Sequence, residues 1–185
     1  MVRKQSRDVR KALVERCLAA FVHAGTLDLS LDDLARSARS SKRMLIHYFG
    51  SRETLEEMAM SLLEEQLRSR FRAGAFPADA STHDVIRALW DGVTQPASRS
   101  LLLLTMDLTR RGWRGSARGR RFFEEQQRSW SEMLRQFMPD PETVEIFLQL
   151  FQGAVLVYLA TGDRDRGRRA LDRFAAGMSR AKHRT

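Results

Sequence analysis

The chain has 185 residues, of which 43% are hydrophobic and 30% are charged, so it can build a core in one domain or in a small module joined to a larger one. No apolar run reaches the ~18 residues of a membrane span, and a single cysteine excludes an internal disulfide. Thirty-two Lys and Arg against 23 Asp and Glu give a net charge of +9, which favours a polyanionic partner.

The first predicted helix lies in the first quarter of the chain, which carries most of the net positive charge. Residues 1–52 hold 11 basic and 5 acidic side chains. Leu13, Cys17 and Phe21 follow helical spacing and lie on one apolar stripe, which predicts a helix over residues 7–23. Because Cys17 belongs to this stripe, we interpret it as a small core residue rather than a nucleophile.

Two short helices are predicted next, joined by a brief turn. Ser30 and Asp33 have the spacing of a capping box, which predicts a helix over residues 31–38. A turn follows at 39–41, and a third helix ends near residue 48, before Gly50. Two short helices joined in this way form a helix-turn-helix, whose second helix enters the major groove of DNA.

The third helix and its flanks carry the side chains that DNA binding needs. The N-terminal turn of a helix favours phosphate through its dipole and free amides, and Ser41 and Lys42 stand there. Arginine can bind guanine in a bidentate manner, so Arg43 is the candidate base reader. We expect DNA contacts from Ser30, Ser41, Lys42, Arg43, Met44, His47, Tyr48 and Arg52.

The segment from Leu13 to Leu55 resembles the N-terminal DNA-binding domain of the TetR family of bacterial transcriptional regulators. That family's recognition segment runs Ser-Lys-Gly-Thr-Leu-Tyr-His-Tyr-Phe, and this chain has Ser-Lys-Arg-Met-Leu-Ile-His-Tyr-Phe at 41–49. The resemblance implies an all-α fold of about nine helices. It places a three-helix helix-turn-helix DNA-binding domain at 1–51 and an α-helical effector-binding and dimerisation domain at 52–185.

The same resemblance implies a function. TetR-like regulators are homodimers, usually repressors, that bind a palindromic operator and are released by a small-molecule effector. The expected partners are therefore a double-stranded DNA operator, a second copy of this chain, and an effector that the sequence does not identify. The alternative is an architectural or nucleoid-associated DNA-binding protein with the same DNA-binding domain and no effector. A protein–protein adaptor is a more remote alternative.

Several residues depart from the family pattern. Arg39 and Ser40 replace the glycine and valine of the turn, and Arg43 and Ile46 replace a glycine and a tyrosine of the recognition segment. We expect Arg39 to adopt the backbone geometry that glycine serves, at a cost of about 1 kcal/mol where φ is positive. Because Arg43 and Met44 change side chains that can meet base edges, the operators of relatives cannot be transferred to this chain.

Helical spacing continues through the rest of the chain, with no persistent strand pattern. Further helices are predicted at 82–93, 97–111, 119–138, 142–161 and 164–180. Aromatic and apolar side chains of the middle helices suit a hydrophobic pocket, although core packing is an alternative for each of them. The candidate effector-binding residues are Trp90, Met106, Trp113, Phe123 and Trp130. An arginine-rich run at 110–121 predicts a solvated loop, or alternatively a site for an anionic effector.

The last two predicted helices favour self-association. The helix at 142–161 is apolar on nearly all faces, and a chain of this length has few other helices to cover it. The simplest explanation is that a second subunit packs against this helix. The alternative is that the helix is buried in the core of a monomer. The expected dimer interface comprises Phe147, Phe151, Val155, Tyr158, Leu171, Phe174 and Met178.

Other functional classes lack a signal in the sequence. Four histidines are scattered without ligand spacing, and no phosphate-binding glycine loop, nucleophile elbow or HExxH motif occurs. We therefore expect no enzyme activity, no metal and no cofactor. The basic N-terminus leads into no apolar signal core, so we expect a cytoplasmic protein with no membrane partner.

Overall fold

The computed structural model describes residues 2–70, 76–77, 79–138 and 140–182. Within these ranges the chain forms nine α-helices and no strand, which confirms the all-α prediction. The helices are α1 (Val2–Ala24), α2 (Leu31–Ser37), α3 (Lys42–Phe49), α4 (Arg52–Arg70), α5 (Thr82–Val93), α6 (Arg99–Trp113), α7 (Ala117–Leu134), α8 (Pro141–Thr161) and α9 (Arg164–Lys182). A short 3-10 turn, Pro96–Ser98, precedes α6.

Most predicted helix bounds lie within about two residues of the observed ones, and the exceptions have local causes. α1 begins at Val2 rather than near residue 7. The helix predicted from residue 97 begins at Arg99 because Pro96 starts a 3-10 turn. α7 ends at Leu134 rather than at Met138, and Met138 precedes a proline, which disfavours helical backbone at that position.

The chain divides into two compact units. Unit 1 comprises residues 1–69 and 100–122, and unit 2 comprises residues 70–99 and 123–185. The region predicted as the DNA-binding domain, 1–51, lies wholly in unit 1. That unit also takes in residues 52–69 and 100–122, so α4 and α6 pack with the helix-turn-helix.

The core of unit 1 confirms the apolar stripe predicted for the first helix. Leu13, Cys17 and Phe21 are buried and pack with buried side chains of α2, α3, α4 and α6. Burial raises the pKa of the Cys17 thiol to about 11, so the thiolate that a nucleophile requires is scarce near neutral pH. Cys17 is thus a core residue.

The core of unit 2 is built around Trp90 on α5. Its indole is fully buried, and its Nε1–H donates a hydrogen bond of 3.2 Å to the Arg164 carbonyl at the start of α9. Phe151 of α8 meets the indole edge-on, with ring centroids 6.0 Å apart. Gly167 of α9 lies directly against the ring, where a side chain would have no room. These contacts join α5, α8 and α9.

One face of α8 is left uncovered by its own unit. Ile146 is 50% exposed and Leu156 is 57% exposed, and Gly153 lies between them on the same face. By length and composition alone, α8 is apolar enough to cross a membrane, with a mean hydropathy of 1.6. The opposite face of α8 supplies core residues of unit 2, so this composition is also that of a helix that packs in a protein core.

Candidate nucleic-acid interface

Serine side chains begin both helices of the motif. The Ser30 hydroxyl accepts a hydrogen bond of 3.1 Å from the Asp33 amide and donates one of 2.5 Å to the Asp33 carboxylate. This hydroxyl holds the pKa of Asp33 below its ordinary range. Ser41 caps α3 in the same way, accepting from the Met44 amide at 3.2 Å. Each cap satisfies an amide that the helix leaves unpaired, so both helix starts are set by the sequence.

The turn between the two helices closes in a Schellman motif. The Ser40 amide donates to the Ala35 carbonyl at 2.9 Å, and the Arg39 amide donates to the Arg36 carbonyl at 3.1 Å. This motif places one residue in the left-handed region, usually glycine, and here that residue is Arg39 with φ of +49°. Among the residues that the structure describes, Arg39 is the one non-glycine with positive φ. The backbone geometry expected for Arg39 is confirmed.

Replacing Arg39 with glycine is expected to raise the free energy of unfolding by about 1 kcal/mol, because the left-handed strain on a Cβ disappears. Denaturant unfolding of the purified variant measures it. Arg36→Gly is the matched control, because Arg36 lies in α2 and has helical backbone. This replacement should lower the free energy of unfolding by about 1 kcal/mol. A loss of stability in Arg39→Gly would contradict the strain argument.

α3 separates an apolar inner face from a mixed outer face. Leu45 and Phe49 are buried in the core of unit 1. Arg43 and His47, four residues apart, lie on the opposite side of the helix and are exposed. The helix therefore packs firmly on unit 1 while presenting a cation and an imidazole to the outside.

The other predicted DNA contacts take different places around this surface. Lys42 is exposed, and its Nζ lies 2.6 Å from an Asp32 carboxylate oxygen on α2. Tyr48 is half-buried and meets the His47 ring edge-on at 5.2 Å. Arg52 donates to the Glu56 carboxylate and to the Leu27 carbonyl, both at 2.8 Å. Its guanidinium is committed to partners inside unit 1, so a DNA contact by Arg52 would compete with them.

A buried carboxylate, which the sequence did not single out for this purpose, holds the chain that leads into the motif. Asp107 of α6 accepts hydrogen bonds from the Leu27 amide at 3.1 Å and from the Thr26 hydroxyl at 3.2 Å. Arg110 Nε donates to it at 3.0 Å, and Arg111 Nε lies at 3.4 Å. Asp107 thereby ties the loop between α1 and α2 to α6.

The same cluster corrects the interpretation of the arginine-rich run as a solvated loop. Arg110 and Arg111 belong to α6, and both also pair with the exposed Asp28. Arg118 belongs to α7 and pairs with Glu57 of α4 at 2.7 Å. These three arginines thus have carboxylate partners within unit 1, which a reading of local sequence alone does not reveal.

Opposing effects set the charge state of Asp107. Burial by itself would raise the pKa of this carboxyl. The hydrogen bonds from Arg110 and Leu27, the charge of Arg111 and the Thr26 hydroxyl outweigh burial and hold the pKa below its ordinary value. Asp107 is therefore a carboxylate near neutral pH, as its role as a multiple acceptor requires.

The candidate effector residues are divided between the units. Met106 and Trp113 belong to unit 1, and Trp90, Phe123 and Trp130 belong to unit 2. Trp90 is fully buried in the core, whereas Trp113 is 80% exposed. A shallow depression in unit 2 is lined by Ile86, Arg87, Trp90, Asp91, Arg168, Leu171 and Asp172. Of the candidate effector residues, only Trp90 lines it.

The predicted dimer residues lie largely inside unit 2. Phe147, Phe151, Val155 and Leu171 are buried within the protomer. Tyr158 is half-buried, and its hydroxyl donates to the Thr94 carbonyl at 3.2 Å. The half-buried Phe174 and Met178 complete the set. The exposed apolar side chains of α8, Ile146 and Leu156, lie instead on the opposite face, together with the exposed Glu145 and Gln149.

Comparison with known proteins finds a similar sequence for part of the chain and similar folds for nearly all of it. No family model matches the chain. Over 65 residues it is 40% identical to the HTH-type transcriptional regulator BetI of Agrobacterium fabrum, a match that spans 35% of this chain and about a third, 32%, of that relative's length.

Solved structures extend the comparison to nearly the whole chain. A TetR-family transcriptional regulator from Streptomyces coelicolor matches 97% of this chain and 84% of its own, with a TM-score of 0.73 and 18% identity. Another, from Mesorhizobium loti, matches 93% of this chain and 95% of its own, with a TM-score of 0.67 and 16% identity. At these identities the likeness establishes a shared fold, and the predicted resemblance to the TetR family is confirmed.

Proposed function

We propose that this chain, which has the TetR-family fold, is a transcriptional regulator that binds a palindromic DNA operator as a homodimer and is released by a small-molecule effector. The outer face of α3 carries the proposal. Ser41 caps this helix, Leu45 and Phe49 hold it in unit 1, and Arg43 and His47 project outward. Repression is the direction that the family resemblance favours.

Charge and geometry support DNA as the partner. A helix-turn-helix presents its second helix to the major groove, where phosphates attract cations and base edges are read directly. Lys42 stands beside the amino end of α3, where it would position the helix on phosphate. Arg43 lies one residue further into the helix, and we propose it as a reader of guanine. The surrounding Ser30, Met44 and Tyr48 complete the contact surface.

The uncovered face of α8 supports the homodimer. Ile146, Gly153 and Leu156 share this face, and the glycine would permit close approach of a second helix. Two copies joined here would present two recognition helices to DNA, and half-sites one turn apart lie about 34–36 Å from each other. We propose that Ile146 and Leu156 make contacts across the two-fold axis, with the half-buried Phe174 and Met178 at its margin.

Replacing Leu156 with glutamate is expected to convert the dimer to a monomer, because a charge would be buried in an apolar interface without a partner. Sedimentation equilibrium would then give the mass of one chain, 21.3 kDa. Ala88→Glu is the matched control, since it adds the same carboxylate at an exposed position of α5 and should leave the dimer intact. If the Leu156→Glu variant stayed dimeric, α8 would not form the dimer interface.

The effector is proposed to be a small molecule with an apolar portion. Trp130, a half-buried member of the predicted set in unit 2, is aromatic, as pocket linings often are. A ligand that changed the spacing of the two recognition helices would weaken operator binding without touching DNA. In a Trp113→Phe variant, which removes the most exposed indole, protection of the remaining fluorescence from quenching on ligand addition would identify binding near Trp130.

Selection of binding sites from random duplex DNA, followed by sequencing, tests the function. A palindromic motif with two half-sites is the expected result. Arg43→Ala should lose preference at one position in each half-site, whereas Arg169→Ala, an exposed cation of unit 2, should keep it. Salt-sensitive binding without any enriched motif would reject the specific regulator and favour an architectural DNA-binding protein.

A further inference from the structure

Two large apolar side chains on α3 are exposed at the surface. Among the side chains described in residues 7–67, the large apolar ones that are exposed are Val9, Met44 and Ile46. Met44 is 39% exposed and Ile46 is 41% exposed, and both belong to the eight-residue recognition helix. Exposed apolar area on a helix that otherwise presents cations calls for a partner with apolar groups of its own.

Helix geometry arranges these side chains around the proposed base reader. Successive residues of an α-helix are about 100° apart, so Arg43 and His47 form a ridge opposite the buried Leu45 and Phe49. Met44 lies on one shoulder of this ridge and Ile46 lies on the other. An outward ridge of Arg43 and His47, flanked by two apolar shoulders, is therefore the surface that α3 offers to a groove.

The major groove of DNA contains one apolar group that such shoulders fit. Phosphate oxygens and most base-edge atoms are polar, and contact with an apolar side chain would desolvate them without a hydrogen bond. The thymine C5 methyl is the exception, and apolar side chains recognise thymine through it. A shoulder residue gains free energy only where a thymine methyl faces it.

We infer that Met44 and Ile46 read thymine methyl groups on either side of the base pair that Arg43 contacts, so that the operator half-site combines a guanine with flanking thymines. This inference rests on the proposed function, because it needs α3 to lie in the major groove. It assigns a specificity role to Ile46, at a position where the TetR-like pattern has tyrosine.

Uracil substitution in the selected operator tests the inference. Uracil lacks only the C5 methyl of thymine, so replacing one contacted thymine should weaken binding about fourfold, the effect of removing one buried methyl group. Ile46→Ala should bind the thymine operator about tenfold more weakly. The Ile46→Ala variant should also bind equally well to operators with thymine and with uracil at the position that Ile46 contacts. Binding by Met44→Ala should likewise be unaffected by uracil at the position that Met44 contacts.

Controls separate this result from other causes. Val9→Ala removes an exposed apolar side chain of α1 and should keep the fourfold sensitivity to uracil. Because Ile46 is exposed, Ile46→Ala should keep its fold, which a thermal melt by circular dichroism checks. Two results would overturn the inference and leave the proposed function standing. Either no uracil substitution weakens binding of the parent protein, or uracil still weakens binding fourfold in both Ile46→Ala and Met44→Ala. Failure to select any operator would reject both.

Discussion

Asp107→Ala is expected to lower the free energy of unfolding by about 3 kcal/mol, the largest effect that we predict for a single side chain in unit 1. Removal of this carboxylate leaves the buried Leu27 amide without its acceptor and takes the most buried of their carboxylate partners from Arg110 and Arg111. A buried donor left unsatisfied costs more than an average hydrogen bond contributes, which is why the loss is large. Denaturant unfolding of the variant measures it.

Asp28→Ala is the matched control for this prediction. Asp28 pairs with the same two arginines, but its side chain is 65% exposed, compared with 9% for Asp107. An exposed ion pair contributes below about 1 kcal/mol, so this variant should unfold nearly as the parent does. Equal losses in the two variants would show that burial of Asp107 is not the source of its effect.

The pH dependence of Asp107 follows from the direction of its pKa shift. Its folded-state pKa lies below the ordinary value of 3.8, so its ionised form is favoured in the folded state. The stability that this shift contributes is present above pH 3.8 and is lost as the pH falls through the folded-state pKa. The difference in unfolding free energy between the parent and Asp107→Ala should therefore become smaller as the pH falls below 3.8.

Gly167→Ala is expected to cost about 3 kcal/mol in unit 2 through overpacking. A Cβ on Gly167 would lie 2.4 Å from the Cη2 and Cζ2 atoms of Trp90, well inside van der Waals contact. The indole cannot yield easily, because it is fully buried and held by its hydrogen bond to the Arg164 carbonyl. The melting temperature and the near-ultraviolet circular dichroism of Trp90 would both report the strain.

Gly92→Ala is the control for this substitution. Gly92 lies in α5, two residues from Trp90, and a Cβ there would meet nothing within 4 Å. Because alanine is the better helix former, this variant should be about as stable as the parent or more stable by up to about 1 kcal/mol. A stable Gly167→Ala protein would mean that α5 and α9 separate more readily than their packing indicates.

Local sequence by itself determined the helix-turn-helix motif. Caps, turns and apolar stripes depend on residues no more than about four positions apart, so Ser30, Ser41 and the spacing of Leu45 and Phe49 could be read directly from the chain. The left-handed backbone at Arg39 was predicted from the family resemblance instead, because glycine usually occupies that position of the turn.

Tertiary structure alone decided the contacts that cross long stretches of chain. Asp107 reaches the Leu27 amide across 80 residues, and Trp90 reaches the Arg164 carbonyl across 74. No local pattern specifies such pairs, because they form only when helices pack. The proposed dimer face shows the same limit. Apolar residues lie on more than one side of α8, so only packing against its own unit buried Phe147 and left Leu156 exposed.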